Sequence, residues 1–431
     1  MWPRLALISV ALLFVACSTE GLPEPAEAGV ESQSEALSPD SSVASSLFVS
    51  SKAYDFAQNP RLLERIMDGP HGYFRFISEV FSRVACERLG ARWSSVPMVN
   101  LHGDAHLEQY AITSNGRGLA DFDRSTRGMA FLDHVSFGVS VHLACLSNGW
   151  TGKEAAAMQE FFRGYYAALE DSQMHPAPPA IVERIRATFT GDHARLLANA
   201  EGFMRPMERP RAEIEKAMRQ YARQMHELSP ELPPSFFRIS KVGELHLGIG
   251  SALDEKYLMR IEGATGAAED DLILEAKEIR ELEELACIED AGAEPERILT
   301  GHNRISYTPY RFVGFLEMDS RPGTSQSKLF WVFAWDDDYE ELSIKDSFQS
   351  LDDLKSIAYD VGVQLGLGHP RGIGYPDSRK LPRALASYTK QLEQDLQLVM
   401  DDLASRTIRA WQEFCAEVES DNVNENKQIG E

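Results

Sequence analysis

The stretch "LHGDAHLEQY", Leu101 to Tyr110, sets His102, Asp104 and His106 at alternating positions directly after the apolar run Val96, Pro97, Met98, Val99. That run reads as a strand, with Pro97 tolerated because it falls at the strand's start. "SNGRG", Ser114 to Gly118, carries a turn signal, and "GLADFD", Gly118 to Asp123, reads as the next strand. Two adjacent strands joined by a turn bring Asp104 and Asp121 into one neighbourhood if the loop after Asp104 folds back. Phosphoryl transfer uses this arrangement. One aspartate orients and deprotonates an acceptor hydroxyl, a polar side chain and a second aspartate hold Mg²⁺, and a strand lysine neutralises the phosphates. The rival reading is a metal triad. Alternate residues of an extended strand share a face, so His102, Asp104 and His106 could hold Zn²⁺ or Fe²⁺, although Gly103 and its turn-prone context favour a loop.

Outward from that stretch the chain changes character twice. Residues 47–95 are expected to be mainly helical, with apolar spacing in "RLLERIMDG" closed by Gly69-Pro70 and in "RFISEVFSRVACERLG" closed by Gly90. Thr151 is a fitting N-cap for "GKEAAAMQEFFRGYYAALED", and helix continues to about Glu227 with breaks at "HPAPPA" and "MRPMERPR". After "SPELPPSFF" the pattern turns strand-like in "ISKVGELHLGIGSALDEKYLMRIEG", "DLILEAKEI", "ISYTPYRFVGFLE" and "SKLFWVFAWDDD". An acidic helix, "EIRELEELACI", is predicted directly after the second of these. The helix "LDDLKSIAYDVGVQLGLGH" and a long amphipathic helix from about Leu381 to Val418 follow. No tandem repeat at a solenoid period is present. The expected fold class is α+β, with lobes assigned as 47–230 helical, 231–345 strand-rich and 346–418 C-terminal helices.

The strand-rich lobe supplies further candidates. Gly248, Gly250 and Ser251 lie between two strands, where glycines let backbone N–H groups approach phosphates, and a plain β-turn is the alternative. Lys277 ends a strand, and Glu281 or Glu284 on the predicted helix would pair with it, unless the pair is merely solvated. Arg75 in "GYFRF" either enters a cleft or lies over aromatic rings. His369 and Arg371 in "GHPRG" end a helix, where the dipole alone favours positive charge.

The N-terminus has one early charge at Arg4 and an apolar stretch from Leu5 to Ala16, too short for a spanning helix of about 20 residues but matching a signal-peptide core. Phe14-Val15-Ala16-Cys17 resembles a bacterial lipobox, which assigns residues 1–17 as a lipoprotein signal and Cys17 as the acylated residue. Ser18 after it favours sorting to the outer membrane, on its periplasmic face. Residues 18–46 and 419–431 are polar, poor in large apolar side chains, and expected to be disordered. The net charge of −23 excludes nucleic-acid binding and leaves the lipid as the membrane attachment. The remaining cysteines, Cys86, Cys145, Cys287 and Cys415, form no C-x-x-C pair, so up to two disulfides in three pairings or buried free thiols remain open.

"HGDAHLEQY" with "ADFD", "RGMAFLD" and the late "LGLGHPRG" resembles the bacterial family known as domain of unknown function 2252, over about Tyr54 to Leu403. More remotely, "HGDAHLEQ" and "DFD" are similar to motifs of aminoglycoside and choline kinases. That second resemblance implies a kinase-like two-lobed fold, Asp104 as catalytic base, and Asp121 as Mg²⁺ ligand. It places Gln109 where those kinases have a metal-binding asparagine, His102 as a structural histidine, and His106 and Asp123 in the pocket. It gives Asp133 the support of the catalytic loop. The glycine segment and Lys277 follow the catalytic-type loop rather than precede it, so the fold would be circularly permuted. The implied function is binding of ATP, another nucleotide or a phosphorylated ligand with Mg²⁺, with transfer to a small-molecule hydroxyl. The alternatives are a non-catalytic binding lipoprotein with the same cleft, or the His/Asp metal enzyme.

Overall fold

Amphipathic periodicity and its punctuation account for most of the helices. The computed structural model describes residues 47–90, 96–233, 235–250, 254–320, 327–374 and 380–429. The N-terminal segment is three short helices, α1 (Pro60–Met67), α2 (Pro70–Phe76) and α3 (Ser78–Leu89). Proline at the first position starts α1 and α2, where its missing N–H costs nothing. The spacing of "RFISEVFSRVACERLG" predicts one helix, but the chain breaks at Ile77, and Gly90 at φ +55° ends α3.

Strands β1 (Met98–Leu101), β2 (Tyr110–Thr113), β3 (Arg117–Leu119) and β4 (Thr126–Met129) follow, then α4 (Phe131–Ser147), α5 (Glu154–Glu170), α6 (Ala180–Arg186), α7 (His193–Phe203), β5 (Met204–Arg205) and α8 (Arg211–Leu228). Next come β6 (Arg238–Leu245), β7 (Lys256–Glu262), β8 (Leu272–Glu278), α9 (Pro295–Ile305), β9 (Gly314–Asp319), β10 (Ser327–Ala334), β11 (Tyr339–Glu341), α10 (Leu351–Gly368) and α11 (Lys380–Ile429). The fold is α+β, with eleven α-helices and three antiparallel sheets among the described residues.

Several sequence expectations are corrected. The "GLADFD" strand stops at Leu119, and it does not pair with the strand before "HGD". Instead β1 pairs with β4 and β2 pairs with β3, in separate sheets. Thr151 does not cap α5, whose N-cap is Lys153. Residues 279–284 after β8 are not helical, while α9 was not foreseen. Helix α11 runs to Ile429, past the point where a disordered tail was expected. The signal, the tether and Ser251 lie outside the described residues.

The largest sheet has the order β5-β6-β7-β8-β10-β9. Its period-2 alternation sorts two faces. Tyr257, Met259, Ile261, Leu274, Ala276, Phe330 and Val332 pack against Ile214, Ala217, Met218, Tyr221 and Met225 of α8, which recur at helical spacing. On the opposite face Leu258 and Ile273 meet Leu197 and Ala200 of α7, and Lys277 and Trp331 share that face further along. The helical core is built on α4, α5, α10 and α11. There α5 and α10 approach so closely that a Cβ on Gly362 would sit 2.0 Å from Phe161 O, and one on Gly164 2.2 Å from Tyr359 O. The chain leaving the large sheet at β10 pairs through β11 with β2 of the helical part. Cys86 of α3 and Cys287 after β8 form a disulfide, while Cys145 and Cys415 are free thiols. No helix among the described residues is long and apolar enough to cross a membrane.

Candidate functional site

The loop after β1 is held by one buried carboxylate. Asp133, in the first turn of α4, accepts the backbone N–H of His102 at 2.8 Å through Oδ2 and that of Gly103 at 2.9 Å through Oδ1. Gly103 adopts φ +84°, and a Cβ there would lie 2.0 Å from Arg124 O, so only glycine lets this loop lie against the chain following Asp123. His102 is fully buried, with Nε2 2.9 Å from Ala120 O. A carbonyl only accepts, so Nε2 carries the proton and Nδ1 accepts the Asp104 N–H at 3.4 Å. This ring ties the loop after β1 to the loop after β3, and it brings Asp104 and Asp121 together where strand pairing does not.

His102 thus spends both nitrogens on backbone, and it does not face a metal with Asp104 and His106. No group of three or more His, Cys, Asp or Glu side chains among the described residues is arranged to hold a metal ion.

Asp121 sits in the left-handed region at φ +60°, a conformation that aspartate tolerates better than most residues. Its N–H donates to the Tyr310 hydroxyl at 3.1 Å. From the large sheet Lys277 reaches across, and its Nζ lies 2.7 Å from both Asp121 Oδ1 and Asp123 Oδ2. Period-2 alternation aims Lys277 this way, on the face opposite the α8 core. Burial would lower the lysine's pKa, but the charges of Asp121, Asp123 and Glu275 hold it well above the usual value. Asp121 is pushed up by burial and pulled down further by Lys277, to about 2. Asp123 is raised by burial and by the Asp121 charge beside it. Lys256, opposite Lys277 on β7, is lowered to about 8 by burial and by the neighbouring lysine.

Asp121 and Asp123 line one cleft with Asp104, Arg75, His106, Gln109, Gly248 and Gly250, while Lys277 is buried against the two aspartates and is not part of that lining. The glycines belong to the β6–β7 connection. Its described part lies against α1 and α2, with Arg65 Nη1 of α1 donating to Gly248 O at 3.1 Å and a Cβ on Gly250 falling 3.0 Å from the Arg75 carbonyl of α2. Asp104 is raised by burial, against the opposing charge of Arg124. The His106 ring, 3.8 Å from Asp104 through Nε2, is held by burial well below the usual histidine range and is therefore neutral near pH 7.

Three expected ligand-binding residues, Glu281, Lys277 and His369, lie off the cleft's lining. Glu281 is exposed on the non-helical segment after β8, and Lys277 pairs with the two aspartates instead of Glu281 or Glu284. His369 is fully buried behind the loop, its Nε2 3.2 Å from Asp133 Oδ2 and its Nδ1 3.0 Å from the Tyr165 hydroxyl. The motif around His369 therefore supports the loop. Asn100 donates to the Gly368, His369 and Arg371 carbonyls, and Gln364 bridges Leu119 and Ile305.

Arg124, Asp254 and Arg280 also line the cleft, and sequence reasoning missed them. Adjacency to Asp123 was the available signal for Arg124. Asp254 and Arg280 carried none, because their partnership at 2.5 Å joins distant segments.

Asp121, Asp123 and Gln109 offer oxygens to the cleft and the His106 ring a nitrogen, with no three-ligand His, Cys, Asp or Glu cluster among the described residues. That oxygen set suits a hard cation such as Mg²⁺, which takes one or two carboxylates and completes its shell with phosphates and water. It does not suit zinc, which prefers nitrogen and sulfur.

A family model described as "Uncharacterized protein conserved in bacteria (DUF2252)" matches residues 180–417. The matched range holds the glycine segment, Lys277 and His369, and it begins after the segment that carries Asp104 and Asp121. No curated protein and no solved structure matches the chain.

Proposed function

The chain belongs to this bacterial family, and we propose that it is a kinase-like protein binding a nucleotide or another phosphorylated ligand with Mg²⁺, able to transfer a phosphoryl group to a small-molecule hydroxyl. The observation that carries this reading is that Lys277 lies 2.7 Å from Asp121 and Asp123, the two aspartates that line the cleft with Asp104 and the glycine segment. A phosphate clamp needs a cation and metal-binding carboxylates within reach of one phosphoryl chain. In this reading Lys277 neutralises ligand phosphates, and Asp121, Asp123 and Gln109 give oxygens to Mg²⁺. Asp104, whose raised pKa makes it a better base than an ordinary aspartate, receives the acceptor's proton. The two-lobed arrangement is then that of a permuted kinase, since Lys277 follows Asp121 by 156 residues.

Location belongs to the same proposal. The lipobox ending at Cys17 reads as an anchor to the outer membrane, and the Cys86–Cys287 disulfide suits an oxidising compartment. Gln109, one methylene longer than asparagine, favours the second reading, a protein that binds without turnover.

Calorimetric titration of ATP and ADP, with and without Mg²⁺, tests the proposal. Binding that requires Mg²⁺, is abolished in Asp121→Asn and weakened in Lys277→Met is expected. Asp104→Asn should keep binding and lose transfer. Absence of Mg²⁺-dependent nucleotide binding by the unaltered protein would overturn the reading.

A further inference from the structure

Asp104 shares the lining of its cleft with two guanidinium groups, those of Arg75 and Arg124. Arg124 and Arg75 both act on its carboxyl electrostatically, Arg124 the more strongly. Neither arginine is saturated among the described residues. Arg124 meets Glu79, which is 61% exposed, through Nη1 at 3.5 Å, and its Nε is buried without a hydrogen-bond partner there. Arg75 meets Glu108 through Nη1 at 3.5 Å. A guanidinium carries five N–H donors in a planar fork suited to carboxylate and phosphate, so each has donors to offer a ligand. A third group points the same way. The His106 ring is 2% exposed, lines the cleft, and has an Nε2 without a hydrogen-bond partner among the described residues. Leaving a buried ring nitrogen unmatched is costly unless a ligand completes it.

Arg280 also lines this cleft, and the remaining carboxylates there have cationic partners. Asp121 and Asp123 hold Lys277, Asp254 holds Arg280, and Glu278 holds Lys328. A cationic acceptor, such as choline, would meet two guanidinium groups beside the base.

We propose that the acceptor bound beside Asp104 is an alcohol that also carries an anionic group, phosphate or carboxylate, gripped between the Arg75 and Arg124 guanidinium groups with its hydroxyl against His106. This rests on the phosphotransfer reading above and names its acceptor class. In the transfer, the acceptor oxygen forms a bond to the terminal phosphorus of a nucleoside triphosphate. The bridging P–O bond breaks to release the diphosphate, and the hydroxyl proton passes to Asp104.

The test uses the full chain in two titrations. Mg-ADP alone reads the phosphotransfer proposal. Glycerol 3-phosphate, glycerate and choline, each titrated into protein with Mg-ADP present and again without nucleotide, read the acceptor class. One or both anions should bind at least about tenfold more tightly than choline. Arg75→Gln and Arg124→Gln should each weaken that binding about tenfold, the weight of one charge-assisted hydrogen bond. Which anion binds separates phosphate from carboxylate. Arg75→Lys and Arg124→Lys, which keep charge and lose the fork, should fall between, and thermal melts establish that each variant is folded. Preference for choline, failure of both anions to bind, or unchanged anion affinity in the folded glutamine variants would overturn the proposal. Failure of Mg-ADP with anion binding intact would overturn only the phosphotransfer reading.

Discussion

Lys277 is 5% exposed and Asp123 16%, while Asp121 keeps a third of its side chain in water. Lys277→Met therefore removes a buried cation from between two carboxylates. The loss should be about 3 kcal/mol, the lower end for a broken buried pair because Asp121 remains partly solvated. Urea unfolding at pH 7 measures it, and an unchanged midpoint would show that the pair is not formed.

Asp121 and Asp104 have opposite pH signatures. Asp121 titrates near 2, below the usual 3.8, so its stabilisation is fully present above 3.8 and is lost as pH falls toward 2. Asp104 is raised, so the folded state disfavours its charged form, and this group's contribution to stability declines as pH rises through 3.8 and above. If Asp104 is the base, the acid limb of a pH–rate profile lies above 3.8. A limb at or below that value would remove it from the role.

At the scale of elements, the Asp104 loop depends on α4 and on the end of α10. His369→Ala should leave the ligand groups in place but loosen the Asp133 carboxylate, which takes both loop N–H groups. Faster amide exchange at His102 and Gly103, with weaker ligand binding and a modest drop in melting temperature, is expected. Unchanged exchange would show that the loop stands alone. The disulfide spans 201 positions and joins α3 to the segment after β8, so Cys86→Ser with Cys287→Ser should cost about 2–4 kcal/mol in thermal unfolding.

These elements also show what the chain's pattern reveals. The glycine segment, Lys277 and the two aspartate loops were legible because each carries a local signature of residue type and spacing. His369 was not, because a helix end does not announce which loop it abuts. The acidic segment after β8 has helix-forming composition, yet Cys287 is bridged to Cys86. Ile288 makes a bridge with Gly128, and Glu289 N–H donates to Arg127 O at 2.7 Å. Tertiary pairing outweighs propensity there.

For the molecule as a whole, the loops after β1 and β3 place the carboxylates and β8 of the large sheet places the lysine, and in the proposed permuted-kinase reading the chain order is the reverse of an ordinary kinase's. Delivery to a membrane is a separate claim. Cys17→Ala should leave the precursor without acyl label and move the protein out of the detergent-soluble membrane fraction, while unchanged fractionation and labelling would remove the anchor. The central claim is that Mg²⁺ and a phosphorylated ligand meet at Asp121. Electron paramagnetic resonance of Mn²⁺, used in place of Mg²⁺, tests it most directly. Two carboxylates alone hold such an ion weakly and ligand phosphates complete its shell, so Mn²⁺ should bind the unaltered protein tightly only when ADP or ATP is present, and not bind Asp121→Asn with either. Mn²⁺ binding that ignores the nucleotide, or that survives Asp121→Asn, would contradict the account.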